Sequence, residues 1–310
     1  MSAPVICIGA VLVDELFFCS EAPLPATSNP AKIQRSVGGV ISNVARNLAL
    51  LDVPVRLLSF LGDDSDASWL KTVLHQSGVD TGLVMQVEGP TGKFSAILGP
   101  DGSLFTAACS DDSERILTPA VFEAYVQALK EARAIVADAN ISVAAINWLS
   151  DFCFREKIPL FLEPVSVSKA KKLAMVDKKG VYMITPNEDE LPSISGMDPA
   201  DEEESVLACI KTGVEYVWLR KGALGSALFH KDNEIYLSAP SIMVKDSTGA
   251  GDAALAGFVA AWYKGMDALT CLKWGHGMAA MVLMQEGTIA EHTDESALIT
   301  LLDQYYPKHD

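Results

Sequence analysis

Short, almost wholly apolar runs alternate along the chain with longer stretches in which apolar residues recur every three or four positions. The first pattern predicts β-strands covered on both faces, and the second predicts amphipathic helices. Strands and helices that alternate in this way form a parallel sheet with helices on both sides. We therefore expect an α/β fold, a doubly wound and mostly parallel sheet flanked by helices. The predicted strands are 5–10, 55–60, 134–137, 159–162, 181–184 and 216–219, and the predicted helices are 42–51, 65–76, 119–131, 143–156, 168–175, 199–212, 250–263, 267–284 and 294–305.

Two segments, 16–35 and 84–108, break this alternation because neither shows a helical period. Proline and glycine turns separate short β-like pieces within each segment. We expect these pieces to pair into one small sheet, and a sheet that projects over the strand ends has the shape of a lid. The chain 1–310 is therefore expected to be a single domain with a lid formed by about 16–35 and 84–108, and the second segment is expected to supply strands at 84–87, 94–98 and 105–108.

The composition is that of a globular protein, but its charge limits the partners. Hydrophobic residues make up 49% and charged residues 21% of the 310 positions, which leaves ample core for one large domain. Acidic residues outnumber basic residues by 40 to 24, so the formal net charge is −16. Such a surface repels nucleic acid and anionic lipid, and neither is expected as a partner. A nucleotide would bind only where helix N-termini, a few basic side chains and a divalent metal compensate locally.

The six cysteines are scattered without C-x-x-C spacing. Neither a zinc site nor a disulfide framework is expected, and free thiols suit a reducing compartment. The apolar run 5–8 lacks the basic flank of a signal peptide, and no apolar run reaches membrane-spanning length. The expected location is the cytoplasm.

The most informative motif is Asp246-Ser-Thr-Gly-Ala-Gly-Asp252, which runs directly into an apolar helical stretch. Small residues at the start of a helix expose backbone N–H groups that bind an anion. Asp252 in the first turn makes sense if it accepts a proton from an alcohol that attacks a phosphate held beside it. A plain glycine turn is one alternative. A dinucleotide fingerprint is another, but the motif lies late in the chain and Asp267 follows too soon for the required acid. Phosphoryl transfer is favoured.

A second small-residue turn, Gly38-Gly39, precedes Asn43 by four residues, so the amide of Asn43 lies on the same side of the helix as the glycines. Paired glycines let a substrate approach the backbone, and the amide offers both a donor and an acceptor to a hydroxyl. Asp14 follows the first strand, where a carboxylate can accept two hydrogen bonds from a vicinal diol. The alternatives are an ordinary capped helix entry and a solvated turn acid.

These motifs together resemble the ribokinase-like (PfkB) family of sugar and nucleoside kinases. The resemblance runs from Cys7-Ile-Gly-Ala through Gly-Gly-x-x-x-Asn43 to the motif that ends at Asp252. It implies a doubly wound sheet, a small-sheet lid over the substrate, and transfer of a phosphoryl group from ATP to an alcohol. It also implies that Asp14, Gly38, Gly39 and Asn43 bind the ribose, that Gly249, Ala250 and Gly251 form an anion hole, and that Asp252 is the catalytic base.

Further positions come from the same resemblance. Asn187 and Glu190 match the family's N-x-x-E motif, which organises Mg²⁺ and its waters. From the residues alone, the pair is equally a helix N-cap with a capping box. On the nucleotide side, the resemblance implies that Lys221, Gly222, Gly225 and His276 contact ATP, that Glu190 acts on Mg²⁺ indirectly, and that Asp246 binds K⁺ together with carbonyls near 286–288.

Lys221 stands where the family usually has a small hydroxyl residue, so its contact with phosphate is a departure from the pattern. His276 can equally be a histidine on a helix surface.

The substrate is expected to be a nucleoside or a sugar. The stretches 28–33, 136–142 and 163–169 are similar to those of family members that phosphorylate the 5′-hydroxyl of the C-nucleoside pseudouridine. A uracil base presents N–H donors and carbonyl acceptors, which polar side chains can read. The expected readers are Ser28, Asn29, Asn140 and Lys169, although each can instead be ordinary turn or cap chemistry.

Other readings stay open. Ribose, a purine nucleoside or a fructose-like sugar are alternative substrates. A nucleotide or nucleoside sensor without turnover is an alternative from another class. Exposed edges of the lid sheet favour a homodimer through the lid.

Overall fold

Two sheets carry the strands of the molecule, which a computed structural model describes for residues 2–290 and 293–307. The strands, in chain order, are β1 (Val5–Ile8), β2 (Leu12–Cys19), β3 (Ala31–Gly38), β4 (Val55–Leu61), β5 (Asp80–Gln86), β6 (Lys93–Leu98), β7 (Leu104–Ser110), β8 (Ala134–Asp138), β9 (Leu160–Glu163), β10 (Val181–Ile184), β11 (Tyr216–Arg220), β12 (Ser226–His230) and β13 (Asn233–Leu237).

The larger sheet has nine strands in the order β13-β12-β11-β10-β9-β8-β1-β4-β5. β1 pairs in parallel with both β4 and β8, so the chain builds one half of the sheet outward from β1 and the other half outward from β8. The order reverses between these two strands, which is where doubly wound sheets bind their ligands. This topology confirms the predicted doubly wound α/β fold.

Helices cover both faces of the larger sheet, and alternate residues of its strands enter two separate cores. In β1, Val5 and Cys7 pack into one core, whereas Ile6 and Ile8 pack into the other. Among the helices in the described ranges, none has the length and apolar character needed to cross a membrane. The helices are α1 (Val40–Leu50), α2 (Ser65–Gln76), α3 (Ser113–Ile116), α4 (Pro119–Ala124), α5 (Val126–Lys130), α6 (Val143–Glu156), α7 (Val167–Ala170), α8 (Leu191–Ser195), α9 (Glu202–Lys211), α10 (Ala250–Tyr263), α11 (Ala268–Leu283) and α12 (Glu295–Tyr305).

Several helices differ from their predicted bounds. The predicted helix 119–131 is divided into α4 and α5 at Tyr125, whose ψ of 12° departs from the helical value. The predicted helix 168–175 is the single turn α7 followed by a 3₁₀ helix, Lys171–Met175. The hairpin of β12 and β13 was not predicted. β12 is buried but has only three consecutive apolar residues, and the edge strand β13 is largely exposed and lacks the continuous apolar run of the central strands.

The small sheet has the order β3-β2-β6-β7 and takes strands from both predicted lid segments. Two assignments need correction. The piece 84–87 belongs to β5, which pairs in parallel with β4 at the edge of the larger sheet after the crossover through α2. Asp14 was predicted to lie at the end of the first strand, but it lies within the next strand, β2, opposite Ser36 of β3 and Phe94 of β6.

Candidate active site

A cavity of about 700 Å³ opens at the carboxyl ends of the parallel strands, on the side of β11 and the N-terminus of α10. Its volume lies within the range of about 300–1,000 Å³ that is usual for small-molecule sites. Its lining includes charged and polar side chains at the strand ends and the first turn of α10, namely Glu163, Asn187, Glu190, Arg220, Gly251 and Asp252.

The turn before α10 exposes unused backbone donors. Gly249 caps the helix with a φ of +76°, and a Cβ atom at this position would lie 2.6 Å from Cβ of Thr288. In the described part of the chain, the N–H groups of Gly251 and Asp252 have no hydrogen-bond acceptor. These donors stand at the positive end of α10, so the turn formed by Gly249, Ala250 and Gly251 can hold an anion.

Asp252 is held by a hydrogen bond from α1. Asn43 Nδ2 donates to Asp252 Oδ2 at 2.8 Å, and Asn43 Oδ1 accepts a hydrogen bond of 3.0 Å from Thr288 Oγ1. Because the hydroxyl of Thr288 donates to the oxygen, the nitrogen of the amide must face Asp252. Asn43 was predicted to bind ribose, and here only its second N–H is left for a substrate.

The environment of Asp252 suits a proton acceptor. Burial raises its pKa to about 7, although the hydrogen bond from Asn43 opposes this shift. The charge of Glu163 also raises this pKa, and Arg220 lowers it. General-base catalysis is most efficient when the pKa of the base lies near the working pH. A carboxyl group with a pKa of about 7 is therefore well suited to accept the proton of an alcohol at neutral pH.

Arg220 lies directly beneath the anion turn, and its role was not anticipated from the sequence. Its Nη2 donates to Glu163 Oε1 at 2.8 Å and to the carbonyl oxygen of Thr185. A Cβ atom at position 251 would lie 2.7 Å from Arg220 Nη1, so Gly251 lets the guanidinium approach the turn. Burial opposes the charge of Arg220, but Glu163 and Glu190 raise its pKa. The guanidinium therefore adds fixed positive charge under the anion turn.

Asn187 and Glu190 form the capping arrangement that the sequence also allowed. Asn187 Oδ1 accepts hydrogen bonds from the N–H groups of Asp189 and Glu190, at 3.0 Å and 2.9 Å. Glu190 Oε2 accepts from Asn187 N at 3.0 Å and lies 3.9 Å from Arg220 Nη2. Burial raises the pKa of Glu190. Its other oxygen, Oε1, has no partner among the described residues and is the atom that can face a hydrated cation.

Lys221 forms an ion pair with a residue of α9. Its Nζ contacts both carboxylate oxygens of Glu202 in α9, at 2.6 Å and 2.7 Å. Lys221 does not line the cavity, whereas its neighbour Arg220 does. The contact of Lys221 with phosphate stays a prediction, which requires Lys221 to leave Glu202 when a nucleotide binds.

The glycines of the same turn and His276 do line the cavity. Gly225 has a φ of +105°, and a Cβ atom there would lie 2.1 Å from the carbonyl oxygen of Leu237. Gly222, at a φ of +52°, has open space where a side chain would be. Both glycines keep the β11–β12 turn close to the cavity.

His276 is buried rather than on a helix surface, and both of its ring nitrogens are engaged. Tyr306 donates its hydroxyl proton to the carbonyl oxygen of Ser238 at 2.7 Å, so it accepts from Nδ1 of His276 at 2.8 Å. Nε2 then accepts from Ser226 Oγ at 2.8 Å, which itself accepts from Trp218 Nε1 at 2.8 Å. Burial lowers the pKa of His276 to about 4. His276 thus offers the cavity a neutral ring surface and no free hydrogen-bonding group.

Asp246 joins two loops next to the anion turn. Its Oδ1 accepts from Thr248 N at 2.9 Å and its Oδ2 accepts from Gly287 N at 3.1 Å. Burial alone would raise the pKa of Asp246, but these hydrogen bonds outweigh it and lower the pKa. The carboxylate is therefore negative at neutral pH beside the 286–288 loop.

Asp14 and the paired glycines meet at the start of α1. A Cβ atom at Gly38 would lie 1.9 Å from Asp14 Oδ1, and one at Gly39 would lie 2.3 Å from the carbonyl oxygen of Ala10. Only glycine at position 38 leaves room for the carboxylate, and Gly39 also has a φ of +93°. Burial raises the pKa of Asp14 to about 6. The glycines thus make space for Asp14 as well as for a ligand.

The four predicted base readers fall into two groups. Asn29 uses its whole amide to close the 24–29 loop, because Oδ1 accepts from Leu24 N at 2.9 Å and Nδ2 donates to Leu24 O at 3.0 Å. Ser28 is exposed in the same loop. The amide of Asn29 is therefore engaged within its own loop, and a contact of Asn29 with a base stays a prediction.

Asn140 and Lys169 lie closer to the cleft. Lys169 and Asp14 both act on the pKa of Cys109 in β7, which places Lys169 beside the small sheet. Asn140 is held by Asp138 at the end of β8. The contact of Asp138 with Asn140 was not predicted, because the sequence does not show that the side chain of Asn140 hydrogen-bonds to the carboxyl group two residues before it.

Comparison with known proteins identifies the class. A model described as pfkB family carbohydrate kinase matches residues 2–295. The chain therefore belongs to this family, and it is a phosphotransferase that acts on a hydroxyl group. Kinases of the ribokinase-like family use ATP with Mg²⁺.

Three relatives show the level of similarity. The chain is 30% identical over 307 residues to pseudouridine kinase of Escherichia coli, covering 96% of each chain. It is 24% identical to pseudouridine kinase of Arabidopsis thaliana, covering 92% of each. It matches the structure of Arabidopsis thaliana ribokinase complexed with ribose and ATP with a TM-score of 0.81 and 24% identity, covering 97% of this chain and 99% of that one.

Proposed function

We propose that this kinase transfers the terminal phosphoryl group of ATP to the 5′-hydroxyl of a ribosyl substrate, and that this substrate is pseudouridine. The observation that carries the first part is the position of Asp252, fixed by Asn43 within the turn whose free N–H groups can hold a phosphate. The second part rests on the similarity to pseudouridine kinase of Escherichia coli.

The sugar is held at the end of the cleft where β1 and the small sheet meet. Asp14, beside Gly38, accepts hydrogen bonds from two neighbouring ribose hydroxyls. This grip directs the remaining hydroxyl toward Asp252, which removes its proton as the new bond to phosphorus forms. Positioning of the hydroxyl supplies most of the rate acceleration.

Negative charge that develops on the transferred group is met by residues of this chain. The unused N–H groups of Gly251 and Asp252, in the turn that begins at Gly249, stabilise this charge, and Arg220 adds positive charge from below. The unpartnered oxygen Oε1 of Glu190 fits a hydrated divalent cation, since Mg²⁺ prefers oxygen atoms, and Asn187 holds Glu190 in place through the hydrogen bonds between them. When bound, Mg²⁺ neutralises part of the phosphate charge.

Three further features belong to the proposal. The small sheet closes over the substrate as a lid formed by parts of 16–35 and 84–108, and so keeps water from the phosphate. Its exposed edges pair two copies into a homodimer. Asp246 and the carbonyls of 286–288 bind K⁺ beside the anion turn. All six cysteines are free thiols, in agreement with a cytoplasmic location.

The test is a coupled assay of ATP consumption with pseudouridine, uridine, adenosine, ribose and fructose, in the presence of Mg²⁺ and with or without K⁺. We expect the highest kcat/KM for pseudouridine, and higher activity with K⁺. If ribose is the best substrate, the kinase assignment holds and the nucleoside assignment is wrong. If ATP binds but no compound on the panel is phosphorylated, a sensor without turnover is the better description.

A further inference from the structure

Asp138 is a buried carboxylate that the proposed chemistry does not use. It ends β8, next to β1, and its side chain is wholly buried. A Cβ atom at Gly9 would lie 2.5 Å from Asp138 Cγ, so the absence of a side chain at Gly9 makes room for the carboxyl group. A carboxylate placed at the switch point of a doubly wound sheet lies where such folds bind ligands.

Asp138 holds the side chain of Asn140. Asp138 Oδ1 accepts from the backbone N–H of Asn140 at 3.0 Å, and Oδ2 accepts from Asn140 Nδ2 at 2.9 Å. The backbone N–H of Ala10 also lowers the pKa of the same carboxyl group. Burial raises the pKa of Asp138 to about 7. In its ionised form the carboxylate only accepts hydrogen bonds, so the amide nitrogen of Asn140 faces Asp138 and the amide oxygen faces away.

The oxygen of Asn140 is free. Asn140 is only 8% exposed, and its Oδ1 accepts no hydrogen bond from any described residue. Among side-chain atoms within the described ranges, the one that is completely buried without a partner is Asn47 Oδ1. Asn140 Oδ1 is therefore reached by solvent, so it is an acceptor presented at a surface by a side chain that is otherwise buried.

That surface belongs to the cleft. Asp138 is paired with Glu163, the last residue of β9, and Ala139 N donates to the carbonyl oxygen of Glu163 at 2.9 Å. Glu163 lines the cavity, so Asn140 follows a strand end directly beside the cavity wall. On the other side, Lys172 Nζ donates to the carbonyl oxygen of Ile141 at 2.9 Å, which ties the residue after Asn140 to the 3₁₀ helix that follows α7, the helix of Lys169. Asn140 thus lies between the strand end at Glu163 and the segment that carries Lys169.

We propose that Asp138 is a positioning residue that fixes the amide of Asn140 as a hydrogen-bond acceptor for an N–H group on the substrate's base. The inference rests on the proposed function, because it assumes a nucleoside in this cleft. Pseudouridine carries N1–H where uridine carries C5–H, so an acceptor at this place separates the two. A site built around such a bond rejects the analogue that lacks it.

Asp138→Asn reverses the arrangement without changing its size. An asparagine at 138 presents an N–H group to Asn140, which pairs best when the amide of Asn140 turns over and directs its own nitrogen into the cleft. The ratio of kcat/KM for pseudouridine to that for uridine is expected to fall from at least about 10 to about 2 or less. The kcat/KM for 5-azauridine, which has a ring-nitrogen acceptor at this position, is expected to rise.

The experiment compares the parent with Asp138→Asn, Asn140→Ala and the double variant, each with pseudouridine, uridine and 5-azauridine. Asp138→Asn is expected to change the pseudouridine-to-uridine ratio only while Asn140 is present, so it should have no further effect in the Asn140→Ala background. Asp111→Asn is the matched control, since Asp111 acts on the pKa of Asp138 but has its own partner in Ser113. This control should leave the ratio unchanged.

The outcomes separate the two proposals. A parent enzyme that phosphorylates neither nucleoside overturns the proposed substrate together with this inference. If the parent prefers pseudouridine and Asp138→Asn shows the same pseudouridine-to-uridine ratio, the inference about Asp138 is overturned and the proposed substrate stands. If Asp138→Asn does not fold, Asp138→Ala replaces it, because alanine removes the buried charge and leaves the amide of Asn140 free to turn. An unchanged ratio in folded Asp138→Ala likewise overturns the inference.

Discussion

Asn43 and Asp252 are 209 residues apart in the chain, and a hydrogen bond of 2.8 Å joins Asn43 Nδ2 to Asp252 Oδ2. The hydroxyl of Thr288 holds the other end of the amide, so three separate segments fix one carboxylate oxygen. The second oxygen of Asp252 is left for a substrate hydroxyl.

Asp252→Asn tests the role of the proton acceptor. The amide keeps the shape of the side chain but cannot accept the proton, so kcat should fall by about 10²–10⁴-fold. Binding of ATP and of the nucleoside, measured by calorimetry, should stay within a few-fold of the parent. Near-normal turnover in this variant would show that another group takes the proton.

Asn43→Ala tests the hydrogen bond between Asn43 and Asp252. The hydrogen bond from Asn43 lowers the pKa of Asp252, so its loss should raise that pKa above its value of about 7. The ionised form is the active one, and kcat should therefore fall at acidic pH with a midpoint that moves to higher pH in the variant. Asn29→Ala, in a loop remote from Asp252, should leave the midpoint where it is.

The same carboxyl group gives a prediction about stability. Its pKa rises from 3.8 in the unfolded chain to about 7 in the folded protein, so the folded state binds the proton more tightly. This group therefore reduces stability progressively as pH rises from about 4 to 7. Asp252→Asn removes that penalty, and thermal melts should show a larger gain in Tm at pH 8 than at pH 5. A gain that is equal at both pH values would contradict the raised pKa.

Asp14→Ala removes the proposed grip on the ribose. Hydrogen bonds to a charged group contribute about 1.5–3 kcal/mol each, so kcat/KM for the nucleoside should fall by roughly 10²-fold or more while KM for ATP moves little. Gly38→Ala should produce a similar loss without removing the carboxylate, because its Cβ atom would lie 1.9 Å from Asp14 Oδ1. An unchanged kcat/KM in both variants would make Asp14 a structural residue of β2.

Arg220 and Lys221 are adjacent basic residues, but their replacement is expected to change stability and kcat to very different extents. Arg220→Met leaves the buried carboxylate of Glu163 without its cationic partner, and unfolding by urea should show a loss of about 3–5 kcal/mol together with a large fall in kcat. Lys221→Met removes an ion pair at the surface and should cost less than about 1 kcal/mol, with kcat retained. A strong effect of Lys221→Met on KM for ATP would support the predicted contact between Lys221 and phosphate, and would show that Lys221 leaves Glu202 when ATP binds.

The sequence predicted the parts of this molecule that depend on neighbouring residues. The turns at Gly38-Gly39 and at 249–251 could be predicted because a positive φ, as at Gly39 and Gly249, favours glycine whatever packs around the turn. The central strands were likewise visible as apolar runs, since both of their faces are buried.

Other features depend on residues that are distant in sequence, and these were missed. Arg220 lies under the anion turn because β11 ends next to the start of α10. The sequence shows only a basic residue at a strand end, and does not show that this strand end lies beside α10. Lys221 looked equally suitable until α9 placed Glu202 against it. The edge strand β5 was assigned to the wrong sheet, because a half-exposed strand gives the same pattern in either one.

The chain of hydrogen bonds from Trp218 through Ser226, His276 and Tyr306 to Ser238 has one direction, since every donor in it is fixed by the next acceptor. Tyr306 stands just beyond α12, the last helix of the described chain. Without that helix, the N–H group of His276 would face the interior of the cavity wall with no acceptor. This wall of the cavity is therefore held in place by a residue 30 positions further along the chain than His276, so local unfolding after α12 would loosen the cavity wall without touching any residue that lines it.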